Sequence, residues 1–296
     1  MYSGNKAWKL FHYLRNEFAD ISTLISYGSV QSNMLPPLAA LARMKGWKLT
    51  FYVDQIPLHL QKIPRGNYKE AIQLGAEVIP LPKRGVSSTV HVGSEQIATY
   101  IQEDVLPHTR GVLFIDEGGR GKEAEEGIAH WAKEIVAAVE QAGLRNPKLF
   151  LPSGTGTSAF YLQRFLPFEV FTNPCVGDTD YLTQQFLALS KHQENLPTIL
   201  PPLPSTYRPA GTYHFGKLNR ALYDLWAELK RETGITFDLL YDPMGWLHTL
   251  AYMEQQGKQQ GEQQVDAIYL HQGGLTGNET MLARYARKWP DSCPVP

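Results

Sequence analysis

The feature that most constrains the fold is an alternation. Short runs rich in β-branched and aromatic residues take turns with segments of helical spacing. Strand-like runs fall at residues 21–27, 48–53, 77–81, 111–115, 148–151, 170–172 and 266–270. Helical patterns fall at 36–45, 68–74, 90–105, 122–142, 159–165, 218–233, 246–256 and 279–288. Strands separated by helices of this length imply βαβ crossovers and a mainly parallel sheet. The sequence therefore predicts an α/β protein built as three-layer αβα units. Residues 20–119 hold enough such units for a smaller domain, interwoven with a larger one made of 1–19 and 120–296. The Pro-rich stretch 196–211 and the polar stretch 257–264 are expected to be connections.

In open parallel sheets, ligands bind beyond the carboxyl ends of the strands. The loops at 28–33, 117–119 and 153–158 are thus where chemistry is sought. Composition narrows its kind. With 28 Lys+Arg against 29 Asp+Glu, the 296-residue chain has a formal net charge of -1. That lacks the basic excess of a nucleic-acid or anionic-membrane binder. No apolar run reaches the ~18 residues of a membrane helix. The start of the chain lacks the layout of a signal peptide. Cys175 and Cys293 form no CxxC pair, so neither a disulfide framework nor a metal cage is expected. HExxH and Cys/His zinc spacings are absent as well, and no metal site is predicted. A cytoplasmic protein acting on a small metabolite is the expectation.

Five segments carry candidate chemistry. In Ser3-Gly4-Asn5-Lys6 a lysine follows a Gly-Asn turn. A lysine held out of water has a lowered pKa and can attack a carbonyl; the alternative is a lysine in a frayed terminus. Gly28-Ser29-Val30-Gln31-Ser32-Asn33 sits at a strand-to-helix turn. There helix N–H groups, Ser32 and Asn33 would attract an anion, or Ser and Asn would only cap the helix. Ser153-Gly154-Thr155-Gly156-Thr157-Ser158 follows a strand and opens a helix. Its glycines admit a ligand close to the backbone and its hydroxyls surround it, as a phosphate cradle requires. It lacks the Gly-Lys-Ser/Thr ending of a nucleotide loop, so a phosphate monoester fits better. Tyr241-Asp242-Pro243 interrupts a helical pattern, and Tyr269-Leu270-His271-Gln272-Gly273-Gly274 ends a strand. Tyr269 and His271 share one face of that strand, and each could meet a ligand or be a buried, satisfied group.

In this order, the segments SGNKAWKL, YGSVQSNMLPPLAALARMKG, SGTGTS, LLYDP and YLHQGG resemble one family. It is the group of pyridoxal-phosphate enzymes containing 1-aminocyclopropane-1-carboxylate deaminase and D-cysteine desulfhydrase, with the tryptophan-synthase-β-like fold (fold type II). The resemblance implies pyridoxal 5'-phosphate as cofactor, a small amino acid as substrate and a homodimer. Lys6 resembles the lysine that forms the Schiff base with the cofactor. Ser32 matches the serine near the substrate carboxylate, Asn33 the asparagine beside the cofactor's phenolic oxygen, and Gln31 completes that motif. Ser153, Gly154, Thr155, Gly156, Thr157 and Ser158 match the phosphate cradle. Tyr241 matches a tyrosine at the cofactor ring, and Tyr269 and Gln272 fall on the substrate side.

The pocket keeps neither subfamily's pattern. After the tyrosine the deaminases carry a glutamate facing the pyridine nitrogen and the desulfhydrases a hydroxyl residue; here it is Asp242. Before the last Gly-Gly the deaminases have leucine and the desulfhydrases a hydroxyl residue; here it is Gln272. A second tyrosine of the deaminases falls on Phe215, with Tyr213 nearby. The resembling proteins also place a strand ahead of the Gly-Asn-Lys motif, so Lys6 is the site residue whose anchoring is least assured. Release of ammonia and a 2-oxo acid is the expected activity. A non-catalytic relative that binds the cofactor or a metabolite is the alternative.

Overall fold

The computed structural model describes residues 4–82, 93–190, 195–208, 213–258 and 265–291. Ser3, Cys293, the start of the helix expected at 90–105 and most of the loop expected at 257–264 lie outside them.

Two parallel four-stranded sheets form the frame. The first has the order β3-β2-β1-β4, with β1 Thr23–Tyr27, β2 Lys48–Val53, β3 Glu77–Pro80 and β4 Val112–Phe114. The second has the order β7-β6-β5-β8, with β5 Pro147–Ser153, β6 Val170–Pro174, β7 Thr198–Ile199 and β8 Asp266–Tyr269. Every pairing is parallel. Twelve α-helices accompany them among the described residues. They are α1 Gly4–Lys9, α2 Phe11–Arg15, α3 Leu35–Lys45, α4 Leu58–Lys62, α5 Gly66–Gln73 and α6 Ser94–Tyr100, then α7 Ala124–Gln141, α8 Thr157–Phe165, α9 Thr179–Leu189, α10 Arg220–Thr233, α11 Asp242–Lys258 and α12 Asn278–Lys288.

Side-chain alternation along the strands sorts the layers. Leu24, Leu49, Phe51 and Leu113 pack with α3, α4 and α5, while Ile25, Tyr27, Tyr52 and Phe114 pack with α6. In the second sheet Leu149 and Leu151 face α7 and α8. Phe150, between them, stacks on Phe171 and meets Tyr252 of α11. Each sheet is covered on both faces, as parallel sheets require.

The differences from the sequence reading lie at element ends, in short elements and in the eleven-residue α9. Asp242 and Pro243 do not break a helix; they open α11. Proline is suited to that place, since a first-turn N–H has no partner to lose. Beyond α6 the chain widens into a π turn at Ile101–Val105. The helices α1, α2, α4 and α9 have no separate signal in the sequence pattern, and two residues of the stretch expected as a connection form β7.

Candidate active site

The carboxyl ends of the two sheets bring together the starts of α1 and α8, the loops after β1, β4 and β8, and the turn before α11. At their centre is Lys6. Its Nζ donates to Asn5 Oδ1 at 2.8 Å. Burial lowers its pKa to about 8, against the opposing pull of the Asp238 carboxylate.

Asn5 fixes the position of Lys6. It is 3% exposed, its Nδ2 donates to Gln272 Oε1 at 2.6 Å and to Ser158 Oγ at 3.1 Å, and its backbone N–H donates to the Gln272 carbonyl. One side chain therefore ties the lysine to the end of β8 and to the start of α8. Gly4, at φ +63°, lies so close to the Gln272 carbonyl that a Cβ would collide with it. Gly127 of α7 likewise leaves room for the carbonyl of Trp8 in α1. The described chain thus supplies the anchoring of Lys6 that the sequence left least assured.

Lys9, one turn on, is buried and donates to the Gly118 carbonyl at 2.9 Å. Burial first, and then the charge of Lys6, push its pKa well down.

The cradle segment behaves in two ways. Ser153 and Ser158 are turned to the scaffold: Ser153 Oγ meets Thr172 Oγ1 at 2.7 Å, and Ser158 Oγ accepts from Asn5. Thr155 and Thr157 bond to one another at 3.1 Å. Gly156, at φ 69°, precedes α8, and no side chain caps that helix. The first N–H groups of a helix have no partner within it and carry its positive dipole end. Gly154 faces Tyr241, whose hydroxyl would lie 3.3 Å from a Cβ there. The loop thus offers backbone donors and small hydroxyls under a tyrosine, with no carboxylate among them.

The loop after β1 departs from its expected role. The helix behind it opens Leu35-Pro36-Pro37, so two of its first three residues have no N–H. The third, Leu35 N–H, bonds to the Ser32 carbonyl at 3.1 Å. A carboxylate held by this helix terminus, as the sequence predicted, therefore lacks its donors. Ser32 Oγ accepts from Met34 N–H at 3.2 Å. Gln31 is engaged by the α5 start: its Nε2 donates to the Arg65 carbonyl at 3.0 Å and its Oε1 accepts from Asn67 N–H at 3.1 Å. Asn33 donates to Asp238 Oδ2 at 2.7 Å and accepts from Asn67 Nδ2 at 2.7 Å.

Asp238 was not singled out in the sequence. It is 3% exposed, and its Oδ1 accepts from the Leu240 and Tyr241 N–H groups. Burial pushes its pKa up, while these bonds, Asn33 and Lys6 oppose that. Asp242, which the resemblance set against a pyridine nitrogen, has both carboxyl oxygens engaged. Oδ1 accepts from Tyr269 Oη at 2.9 Å and Oδ2 from Asp238 N–H at 2.8 Å. Burial, and then Asp238, raise its pKa to about 8. Tyr269 is stacked on Trp246 at 4.3 Å and holds Asp242. Gln272 Nε2 donates to the Pro152 carbonyl at 2.6 Å, so its amide braces Asn5 on one side and β5 on the other. His271 bonds to the Thr236 carbonyl at 2.9 Å, the satisfied alternative noted for it.

Tyr241 is half-buried, and desolvation and then the charge of Asp238 raise its pKa, so it keeps its proton through the neutral range. Phe215 packs on it at 5.0 Å, and Tyr213 Oη donates to the Cys175 carbonyl at 3.3 Å. Glu117, a weak signal in the sequence, lies beside Gly28; burial raises its pKa, and the neighbouring Asp116 adds to that. No cluster of metal-binding side chains occurs among the described residues.

The same architecture occurs in solved structures. An ACC deaminase homologue aligns over 97% of this chain and 83% of its own, with a TM-score of 0.70 and 17% identity. A threonine deaminase from T.th. aligns over 91% of this chain and 83% of its own, with a TM-score of 0.59 and 18% identity. O-ureido-L-serine synthase aligns over 97% of this chain and 84% of its own, with a TM-score of 0.57 and 18% identity. The chain has the tryptophan-synthase-β-like fold of the type II pyridoxal-phosphate enzymes. No family model and no curated protein sequence matches it.

A pyridoxal-phosphate-type group suits the residues present. Lys6 is an amine held with a lowered pKa, for the aldehyde. The uncapped α8 start is a donor set for the phosphate, and Gly154 keeps space beneath Tyr241. One expected contact does not follow, since the Asp242 carboxyl is taken up by Tyr269 and Asp238.

Proposed function

We propose that the protein is a pyridoxal-phosphate enzyme acting on a small amino acid, with release of ammonia and a 2-oxo acid in the manner of the deaminases and desulfhydrases it resembles. The observation that carries this reading is the held Lys6, its pKa lowered to about 8, beside an uncapped helix start. In this reading residues 20–119 form the smaller domain, and 1–19 with 120–296 the larger.

Lys6 would hold the cofactor's aldehyde covalently, and Gly154, Thr155, Gly156 and Thr157 with the α8 N-terminus would hold its phosphate. When bound, the cofactor supplies an electron sink for negative charge developing at the substrate's α carbon. The protein's own groups do the rest. Lys6, released as a neutral amine, accepts or returns a proton at the substrate carbon, and a pKa near the working pH suits that task. Tyr241 holds a hydroxyl proton over Gly154, available to a leaving group or a developing anion. Asp238 and Asn33 set the charge around Lys6, and Ser32 offers a hydroxyl to the substrate carboxylate. The apolar packing of Phe215 on Tyr241 keeps water from that side.

The test is spectroscopic and then chemical. Purified protein incubated with pyridoxal 5'-phosphate should turn yellow and lose that absorbance on borohydride reduction, with the label on Lys6. D-cysteine, 1-aminocyclopropane-1-carboxylate and a panel of D- and L-amino acids are then screened for ammonia release. Lys6→Ala should abolish turnover. A protein that takes up no cofactor, or is labelled elsewhere, overturns the proposal.

A further inference from the structure

Outside this site, the last helix carries a stripe that the proposed chemistry does not use. Thr280, Ala283, Arg284 and Arg287 recur at the three- and four-residue spacing that puts side chains on one face of α12. That face looks onto the corner between α4 and α5, from which His59 and Arg65 approach, and the two sides enclose a cavity of about 290 Å³. Leu60 and Ile63 supply its apolar wall.

The charge here is one-sided. Three guanidiniums and an imidazole line the cavity, and no carboxylate does so among the described residues. Arg284 is half-buried, and among the described residues its guanidinium donates to neutral partners alone: the Gly216 carbonyl at 2.8 Å and the sulfur of Met281 at 3.2 Å. Burial and the like charge of Arg287 hold its pKa below the ordinary value. Glu279, whose charge is felt by Arg65, accepts from Lys69 Nζ and from Gly66 N–H, both at 3.0 Å. Thr280 adds a buried hydroxyl with no hydrogen-bond partner among the described residues. In a chain with a formal net charge of -1, converging cations with no facing carboxylate among the described residues leave a deficit that an anion would fill.

We propose that this cavity binds a phosphorylated small molecule, its phosphate gripped by Arg65, Arg284 and Arg287 and its remainder lying on Leu60 and Ile63. Phosphate is favoured because planar guanidiniums grip its oxygens in pairs and a dianion answers several of them at once. The cavity is built from α4, α5 and α12, and neither Lys6 nor any residue of the 153–158 loop lines it, so the proposal stands independently of the proposed activity.

Thermal unfolding is measured against inorganic phosphate and adenosine monophosphate, with adenosine and sodium chloride of equal ionic strength as controls. The pair is run on the wild-type chain and on Arg65→Ala/Arg287→Ala, whose side chains are exposed and whose loss leaves the fold intact. The wild type should show a saturable rise of roughly 2–4 °C at ten times the dissociation constant. The double variant should lose it. Any response from the α8 start would persist in the double variant and is subtracted. Identical curves for the wild type and double variant overturn the proposal, as does an equal response to sodium chloride. A double variant that changes oligomeric mass while keeping the phosphate response also overturns it, since the stripe then serves a second copy of the chain.

Discussion

The Asn5 side chain, 267 residues from Gln272 in sequence, donates to its amide oxygen at 2.6 Å and fixes the lysine next to it. The first prediction tests that tie. Leucine, the residue carried here by the resembling deaminases, would replace Gln272 at similar volume and remove both its bonds. Asn5 would keep only Ser158 as a side-chain acceptor, and the Pro152 carbonyl would lose its donor. Gln272→Leu should cost about 1–3 kcal/mol in denaturant unfolding. Capture of an aldehyde by Lys6 should slow more than the stability loss alone accounts for, as read by borohydride trapping and peptide mapping.

The second prediction concerns pH. Lys6 in the folded chain loses its proton near pH 8, whereas an unfolded lysine does so near 10.5. Between these values the unfolded chain binds more protons, so stability rises with pH across that window. The cost of burying the charge is fully present below pH 8 and is relieved above it. Lys9 acts in the same direction. Lys6→Met should flatten the rise by up to about 3 kcal/mol, read by denaturant unfolding from pH 7 to 10.5. In the wild-type chain, aldehyde trapping at Lys6 should level off near pH 8 rather than climb with ordinary lysines.

Asp238 and Asp242 give the opposite slope. Burial raises both, Asp242 to about 8, so each binds more protons in the folded chain than in the unfolded one above the ordinary aspartate range, Asp242 doing so from about pH 4 to 8. Their contribution to stability therefore falls as pH rises through that window. Asp242→Asn should remove part of that fall, although it disturbs the bond from Asp238 N–H or from Tyr269. Asp238→Asn removes the charge that draws the Lys6 pKa upward, so the trapping profile of Lys6 should shift to lower pH. An unchanged trapping profile in Asp238→Asn would show that Asp238 does not act on the lysine.

These residues also show where the sequence was legible. Short β-rich runs placed seven of the eight described strands to within a few residues, because burial on both faces of a parallel sheet leaves continuous apolar runs. The 153–158 loop stood out because paired glycines among hydroxyls are a local signal, whereas Lys6, close to the start of the sequence, gained its meaning from the ordered set of segments that carries the resemblance. Asp238 did not stand out, because its meaning comes from Asn33, 205 residues away, and from the N–H groups behind it. Tyr269 was placed near the ligand by strand-end position, and Gln272 by the resemblance. Whether their polar ends face a ligand or brace Asn5 and Asp242 depends on contacts across the sheet. Pro36 and Pro37 were visible all along; what they remove from the start of α3 follows once the helix boundary is fixed at Leu35.

The last prediction isolates anchoring from chemistry. Gly4 stands at φ +63°, and a Cβ there would run into the Gln272 carbonyl that accepts from Asn5 N–H. An alanine is opposed twice, by the left-handed backbone and by a backbone neighbour that has no rotamer to yield. The cheapest relief is for α1 to lift from the end of β8, because residues 147–174 and 266–269 pair without it. Gly4→Ala should therefore leave the far-ultraviolet spectrum nearly intact and cost roughly 1–3 kcal/mol in global stability. It should return the Lys6 reactivity midpoint from about 8 toward the ordinary lysine value as the amine regains water. A variant that unfolds less readily than the wild type, or whose Lys6 still titrates near pH 8, would place the anchor of that lysine elsewhere than at the Gln272 carbonyl.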